Sequence, residues 1–283
     1  MSIQRFAKQF VPPIVVQGLK RLKMQFVSPP WEYLPEGWSH HDPKITGWNV
    51  ASVLAAQKAR WPEFVRMIQS PGVLGIANEG AVSSTASYIT HNTYMTYAYV
   101  LALTAHHRDN VSILDWGGGI GHYGLMSREL LPSVMIDYHC KEVPLLCQGG
   151  REVLPDAHFY EDEGACFQRK YDLVLVSGSL QYAEDWRSLA QRLLQVTEGY
   201  LYITRLPVVQ RAASFVVVQR PYQFGYSTEY KGWYFNRTDF LATMRSLGAE
   251  IIREFLIEPS AYVFNAPEQG DYRGFLFRPS ALR

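Results

Sequence analysis

The stretch I113-L-D-W-G-G-G-I-G-H-Y-G124 constrains the fold of this chain more than any other. It begins with a short apolar run that ends in an acid and passes into a loop of glycines. The apolar run is typical of a buried strand, and a glycine-rich loop allows a ligand to approach the backbone closely. A helical pattern from about Tyr123 to Leu131 follows the loop. Together these features predict a strand, a tight loop and a helix, the unit from which layered α/β domains are built.

Strand-like runs alternate with helical segments from this point to the C-terminus. This alternation predicts a mostly parallel sheet with helices on both faces. The last two runs, EIIREFLIE and RGFLFR, are separated by a polar loop, which predicts an antiparallel pair at one edge of the sheet. The other predicted strands cover about 112–116, 134–143, 157–162, 171–179 and 199–206. The predicted helices that follow the glycine loop cover about 123–131, 185–197 and 237–247.

Composition divides the chain into three regions. Residues 1–31 carry basic and apolar side chains and no acid, residues 32–85 form an extension rich in Trp, Pro and Gly, and residues 86–283 form the α/β domain. Outside the alternating pattern, helices are predicted over Val50–Gln69 and over about Thr90–Ala105. We therefore expect an α/β fold that carries a helical N-terminal extension.

Charge and cysteine content exclude several classes of function. The formal net charge of +1 gives no global reason to expect a nucleic-acid partner. The three cysteines form neither a CxxC pair nor a disulfide framework, so we predict no metal site and a reducing, cytoplasmic location. Residues 1–26 place apolar and basic side chains at helical spacing, so this segment either contacts an anionic membrane surface or packs on its own domain.

Two interpretations of the glycine loop compete. The run from Gly119 to Gly124 matches G-x-G-x-x-G, the fingerprint of dinucleotide-binding proteins. Shifted towards the N-terminus, the loop instead places Asp115 two positions before the first of three alternating glycines. A carboxylate there would crowd a pyrophosphate, whereas it suits a ligand that carries an ammonium group and a sulfonium. S-adenosylmethionine is such a ligand, and its carboxylate can be bound by backbone N–H groups.

Acidic side chains follow the next two predicted strands. Glu142 lies 21 residues after Gly121, where a carboxylate can accept hydrogen bonds from both ribose hydroxyls of a nucleoside. Because NAD also carries such a ribose, Glu142 does not discriminate between the two cofactors. The acidic run 161–163 could accept a hydrogen bond from an adenine amino group. We therefore expect the nucleoside to lie across these strand ends.

Taken together, these motifs resemble the class I S-adenosylmethionine-dependent methyltransferases. The resemblance covers about 170 residues, from Val111 to Pro279, and rests on LDWGGGIG, KEVP, FYED, YDLVLVSGSLQY, YLYITR and the terminal strand pair in that order. The segments LDWGGGIG, EVP and WYFNRTDF further resemble a bacterial group of methyltransferases associated with surface-polysaccharide biosynthesis. The resemblance implies a Rossmann-like sheet, S-adenosylmethionine as cofactor, and methyl transfer to a small or glycan-linked acceptor, at an oxygen of a carbohydrate.

The resemblance also implies which residues bind the cofactor. They are Asp115, Gly117, Gly118, Gly119, Gly121, Glu142, Val143, Asp162, Ser177 and Gly178. SGSLQY stands where methyltransferases acting on amino groups of nucleic acids or on protein amides carry Asn/Asp-Pro-Pro-aromatic. This difference argues against those substrates.

The acceptor is expected to lie under the aromatic segment 207–236, which is longer than an ordinary connection. Aromatic faces suit a sugar ring, and Arg211 and Arg220 would suit an attached phosphate or carboxylate. The candidate acceptor-binding residues are His122, Tyr222, Tyr226, Tyr230 and Trp233. We name no catalytic base, because methyl transfer from a sulfonium needs mainly in-line placement. Two alternatives remain: an NAD(P)-dependent oxidoreductase and a non-catalytic fold that binds S-adenosylmethionine.

Overall fold

The computed structural model describes residues 28–76 and 87–280. The basic segment predicted at 1–31 therefore lies almost entirely outside the described residues, as does the domain boundary predicted at 85/86. The strands are β1 (Trp31–Leu34), β2 (Asn110–Trp116), β3 (Met135–Lys141), β4 (His158–Tyr160), β5 (Tyr171–Ser177), β6 (Thr197–Val209), β7 (Phe215–Gln219), β8 (Tyr230–Asn236), β9 (Ala249–Pro259) and β10 (Asp271–Pro279). The helices are α1 (Ala51–Ile68), α2 (Tyr88–Ala105), α3 (His122–Leu130), α4 (Pro144–Val153), α5 (Glu163–Cys166), α6 (Trp186–Gln195) and α7 (Arg237–Ser246).

The main part of the sheet has the strand order β4-β3-β2-β5-β6-β10-β9. Strands β4, β3, β2, β5 and β6 are parallel, whereas β10 runs antiparallel to both of its neighbours. The predicted mostly parallel sheet with an antiparallel pair at one edge is therefore confirmed. Because the parallel strands end at the same side, the loops that follow β2, β3, β5 and β6 lie next to one another.

A second arm of the sheet extends from the far end of β6. The last two residues of β6 pair in parallel with β8, which pairs antiparallel with β7, and β7 pairs antiparallel with β1. The segment 207–236, predicted as an irregular loop, therefore contains two strands. The reason is local, because Phe215–Gln219 is an apolar β-branched run that is buried throughout. The N-terminal extension, predicted as helical, contains both a strand and a helix, since it supplies β1 as well as helix α1.

Helices cover both faces of the main sheet. Along β5 the side chains alternate, so that Leu173 and Leu175 join the core under α1, α2 and α3 while Val174 and Val176 join the core under α6 and α7. This burial on both faces explains why the sequence of β5 is apolar without interruption. Within the described ranges, no helix combines the length and the apolar character needed to cross a bilayer.

The ends of the helices follow local signals. Helix α7 begins where the Asn236 side chain accepts a hydrogen bond from the Asp239 N–H at 3.0 Å, and it is followed by Gly248 at a φ of 88°. Helix α4 was not predicted, because its sequence contains Gly149 and Gly150. A β-carbon on these glycines would lie 2.3 Å from Leu54 and 2.2 Å from Phe159. Close packing therefore requires glycine in α4, at a cost in helix propensity.

Candidate active site

The glycine loop joins β2 to α3 and needs glycine for two separate reasons. Gly117, Gly119 and Gly121 have φ angles of 78°, 63° and 99°, a left-handed region that other residues rarely adopt. Gly118 has an ordinary φ, but a β-carbon there would lie 2.4 Å from Oδ2 of Asp115. The loop is therefore both sharply turned and packed directly on the strand beneath it.

Glu142 holds the loop from the end of β3. Its carboxylate accepts hydrogen bonds from the Gly119 N–H at 3.0 Å and from the Val143 N–H at 2.7 Å. On the other side of the loop, the Gln57 side chain on α1 accepts from the Ile120 N–H at 3.2 Å. Backbone donors at the start of α3 thus point at two side-chain oxygens of the protein.

A cavity of about 260 Å³ opens beside this loop. Six of the predicted cofactor residues line it together: Gly117, Gly119, Glu142, Val143, Ser177 and Gly178. They come from the ends of three neighbouring parallel strands, β2, β3 and β5, which is where ligands bind in open α/β sheets. The sequence pattern therefore located residues that meet in one cavity although they are up to 61 positions apart.

The other four predicted residues, Asp115, Gly118, Gly121 and Asp162, lie outside the lining of this cavity. Asp115 is fully buried beneath the loop and accepts a hydrogen bond from the Tyr138 hydroxyl at 2.5 Å. Burial raises the pKa of Asp115 to about 7, against the opposing effect of that hydrogen bond. Asp162 is exposed and caps α5 by accepting from the Ala165 N–H at 3.1 Å. The neighbouring Glu163 lines the cavity instead, because the first turn of α5 turns its side chain towards it.

Two side chains of the N-terminal extension, one aromatic and one amide, complete the wall of this cavity. Trp48 and Gln57 both line it. Neither was predicted, since a single buried glutamine in an amphipathic helix carries no signal of the loop that it will contact. Gln57 is 3% exposed and lies on the face of α1 that packs against α3.

A second cavity of about 470 Å³ adjoins the first. The two share Trp48, Gly178 and Tyr182 in their walls. The Trp48 ring stacks on Tyr230 with centroids 4.3 Å apart and meets Tyr182 edge to face at 5.1 Å. The second cavity thus begins where the first ends, at the loop after β5.

The aromatic segment contributes some of the predicted acceptor residues to this second cavity. Tyr226 and Tyr230 line it. Tyr222 does not, because its hydroxyl is turned to the carboxylate of Glu229, and 52% of this side chain is exposed. Trp233 also lies elsewhere, since its ring nitrogen donates to the Glu184 carbonyl at 3.2 Å and its ring packs on Trp38.

The histidine and arginine candidates lie away from both cavities. His122 is buried between the rings of Phe64 and Trp61, at centroid distances of 4.8 and 5.1 Å, so it is a core residue. Arg220 pairs with Glu32 and Glu229 within the second arm of the sheet. Arg211 is exposed and lies 3.7 Å from Glu268.

Two charged side chains that were not predicted line the second cavity. Among the described residues, Arg205 and Glu258 are the only Arg, Lys, Asp or Glu side chains in its wall. Arg205 has a φ of 54°, a strained value for a residue with a side chain, and its guanidinium packs against Gly178. Burial raises the pKa of Glu258, while the nearby Arg205 acts in the opposite direction. Arg205 closes the YLYITR run and Glu258 lies near the end of β9, but no sequence pattern links these two residues to one cavity.

No family model and no curated protein matches this chain. Solved structures do match its fold. A protein from Galdieria sulphuraria, assigned provisionally as a sarcosine dimethylglycine methyltransferase, shares 13% identity over 80% of this chain and 98% of its own, with a TM-score of 0.51. An S-adenosylmethionine-dependent methyltransferase from Clostridium acetobutylicum shares 9% identity over 67% and 92%, with a TM-score of 0.46. The sugar N-methyltransferase KedS8 from Streptoalloteichus shares 15% over 71% and 98%, with a TM-score of 0.45. From the strand order and the first of these similarities, the described part of the chain has the Rossmann-like fold of class I methyltransferases.

Proposed function

We propose that this protein transfers the methyl group of S-adenosylmethionine to an oxygen of a small or glycan-linked carbohydrate. Two adjoining cavities support the proposal, one formed by the glycine loop and Glu142 and the other walled by aromatic rings. A methyltransferase needs this arrangement, because the cofactor and the acceptor must meet at one point. The shared wall at Gly178 and Tyr182 marks that point.

The hydrogen bonds of the glycine loop indicate which class of cofactor the site favours. A dinucleotide requires free backbone N–H groups at the start of the helix to bind its pyrophosphate. Here the Gly119 N–H is bonded to the carboxylate of Glu142 and the Ile120 N–H to Gln57. The Glu142 carboxylate would also repel a phosphate at the same place. The site therefore favours a nucleoside without phosphates over NAD(P).

The residues of the first cavity fit S-adenosylmethionine. Glu142 would accept hydrogen bonds from the ribose hydroxyls, and Glu163, which lines the same cavity, would accept one from the adenine amino group. Ser177 and Gly178 would lie beneath the methionine portion, and Asp115 would support the loop from below. When bound, the cofactor supplies an electrophilic methyl group on a sulfonium.

The second cavity would orient the acceptor and exclude water from the reaction. Tyr226, Tyr230 and Trp48 line its wall with aromatic rings, a residue type that packs on the apolar faces of a sugar. Glu258 would receive the proton of the attacking hydroxyl on a carboxylate oxygen, since it is the only carboxylate in this wall among the described residues. Arg205 would position both Glu258 and the polar edge of the acceptor.

A methyl-transfer assay with labelled S-adenosylmethionine tests the proposal. A panel of methyl glycosides, uronic acids and catechols is offered to the wild-type protein and to Glu258→Gln. We expect label in a carbohydrate, and we expect Glu258→Gln to slow transfer by about 10²- to 10⁴-fold while S-adenosylhomocysteine affinity stays within about twofold. The matched control is Glu268→Gln, because Glu268 binds backbone N–H groups outside both cavities.

The assay also separates the alternatives. Labelled catechol with unlabelled sugars would contradict the carbohydrate acceptor. Binding of S-adenosylhomocysteine without transfer to any member of the panel would favour the non-catalytic fold. Equal loss of cofactor affinity and transfer in Glu258→Gln would remove Glu258 from the role of base.

A further inference from the structure

A cluster of metal-ligating side chains lies at the β3–β4 edge of the sheet. Asp137 and His139 are two positions apart on β3 and so share a face, and His158 on β4 pairs in register with His139. None of the three lines either cavity. The sequence pattern predicts no metal site. The reason is that these three residues come together only when β3 and β4 pair.

One carboxylate oxygen is the centre of this cluster. Oδ1 of Asp137 lies 2.9 Å from Nε2 of His139 and 3.7 Å from Nε2 of His158. The two imidazole rings are nearly parallel, with centroids 4.5 Å apart and planes 16° from each other. Their Nε2 atoms consequently face the same oxygen, and the three atoms all lie within 4.8 Å of one another.

These distances match what a tetrahedral zinc ion requires. Zinc binds imidazole nitrogen and carboxylate oxygen at about 2.0–2.2 Å, which places neighbouring ligand atoms about 3.3–3.5 Å apart. The two distances from Asp137 fall on either side of this value. His158 can make the necessary adjustment, because its side chain is 60% exposed and therefore able to rotate. Solvent at the sheet edge would provide the fourth ligand.

Neighbouring side chains hold the other atoms of the cluster. The Tyr160 hydroxyl lies 2.9 Å from Nδ1 of His139, which leaves Nε2 on the side of the carboxylate. Arg169 donates to Oδ2 of Asp137 at 2.8 Å, which leaves Oδ1 on the side of the histidines. Outer partners of this kind orient metal ligands in known sites. The positive charge of Arg169 also opposes a cation, so the site should bind zinc only moderately.

We propose that Asp137, His139 and His158 bind a divalent transition-metal ion of the zinc class. A bound ion would tie the three-residue strand β4 to β3. The proposal is independent of the methyl-transfer function, since the cluster shares no residue with either cavity.

Metal titration of the full chain, with any affinity tag removed, tests the site. Zn²⁺ is titrated by calorimetry, and Co²⁺ is titrated as a spectroscopic probe of tetrahedral coordination. We expect one ion per chain, visible absorption typical of tetrahedral cobalt, and an affinity that His158→Ala lowers by about tenfold or more.

His106→Ala is the matched control. His106 is also exposed and contacts the ring of the neighbouring His107, with ring centroids 3.8 Å apart, but it is not part of the cluster. Zinc affinity should be unchanged in this variant. Asp137→Asn provides a second test should His158→Ala fail to fold. An absence of zinc binding, or zinc binding that both cluster variants leave unchanged, would overturn the proposal, whereas S-adenosylhomocysteine binding would be unaffected in either case.

Discussion

At the scale of single residues, Glu142 is the side chain on which the proposed cofactor site most depends. It holds the glycine loop through Gly119 and faces the cavity at the same time. Glu142→Ala should lose about 1.5–3 kcal/mol of S-adenosylhomocysteine binding, or roughly 10- to 150-fold in affinity, because hydrogen bonds to a charged acceptor are removed. Calorimetry measures this change. Glu161→Ala is the control, since Glu161 pairs with Arg151 outside the cavity, and an equal loss in the two variants would contradict the assignment.

The raised pKa of Asp115 leads to a second prediction, which concerns the pH dependence of stability. Its pKa in the folded protein is about 7, above the ordinary 3.8, so its contribution to stability is fully present below about pH 3.8 and is lost as the pH rises through 7. Asp115→Asn does not titrate. The difference in free energy of unfolding between the variant and the wild type should therefore shift in favour of the variant from pH 4 to pH 8, by on the order of a few kcal/mol. Urea denaturation without ligand at both pH values measures this gap, and a gap that stays constant or moves the other way would contradict the raised pKa.

At the scale of elements, helix α1 supports the glycine loop from outside the α/β domain. Gln57 accepts from the buried Ile120 N–H, so Gln57→Ala should leave a donor unsatisfied and lower the free energy of unfolding by about 1–3 kcal/mol. Gln69→Ala tests the same residue type at the end of α1, where the side chain bonds to Glu129 on the surface. Denaturation curves should separate the two variants. Equal midpoints would show that α1 does not hold the loop.

Elements with a regular local pattern could be predicted, and elements set by packing could not. Strand β5 and the strand–loop–helix unit around Gly117–Gly121 follow from apolar runs and glycines. Helix α4 could not be predicted, because its glycines are explained only by contact with Leu54 and Phe159. Strand β8 was missed because its aromatic residues are equally typical of a binding loop, whereas β7 was missed although its apolar β-branched run is a local strand signal.

At the scale of the whole molecule, the two cavities join residues from regions that are distant in sequence. The strand-end positions Glu142 and Gly178 could be predicted, since parallel strands always end on one side of a sheet. Trp48, Arg205 and Glu258 could not be predicted, because their places depend on how the extension, β6 and β9 pack around the site. Local motifs thus located the cavity proposed for the cofactor, while most of the lining of the cavity proposed for the acceptor emerged only from the folded chain.

Calorimetric titration of the wild-type protein with S-adenosylhomocysteine and, separately, with NAD tests the central claim most directly. The Gly119 and Ile120 N–H groups of the glycine loop are bonded to Glu142 and Gln57, which argues against a pyrophosphate at this position. We predict saturable binding of S-adenosylhomocysteine at one site per chain and no binding of NAD at the same concentrations. Binding of NAD with equal or higher affinity, or no binding of S-adenosylhomocysteine, would contradict the account.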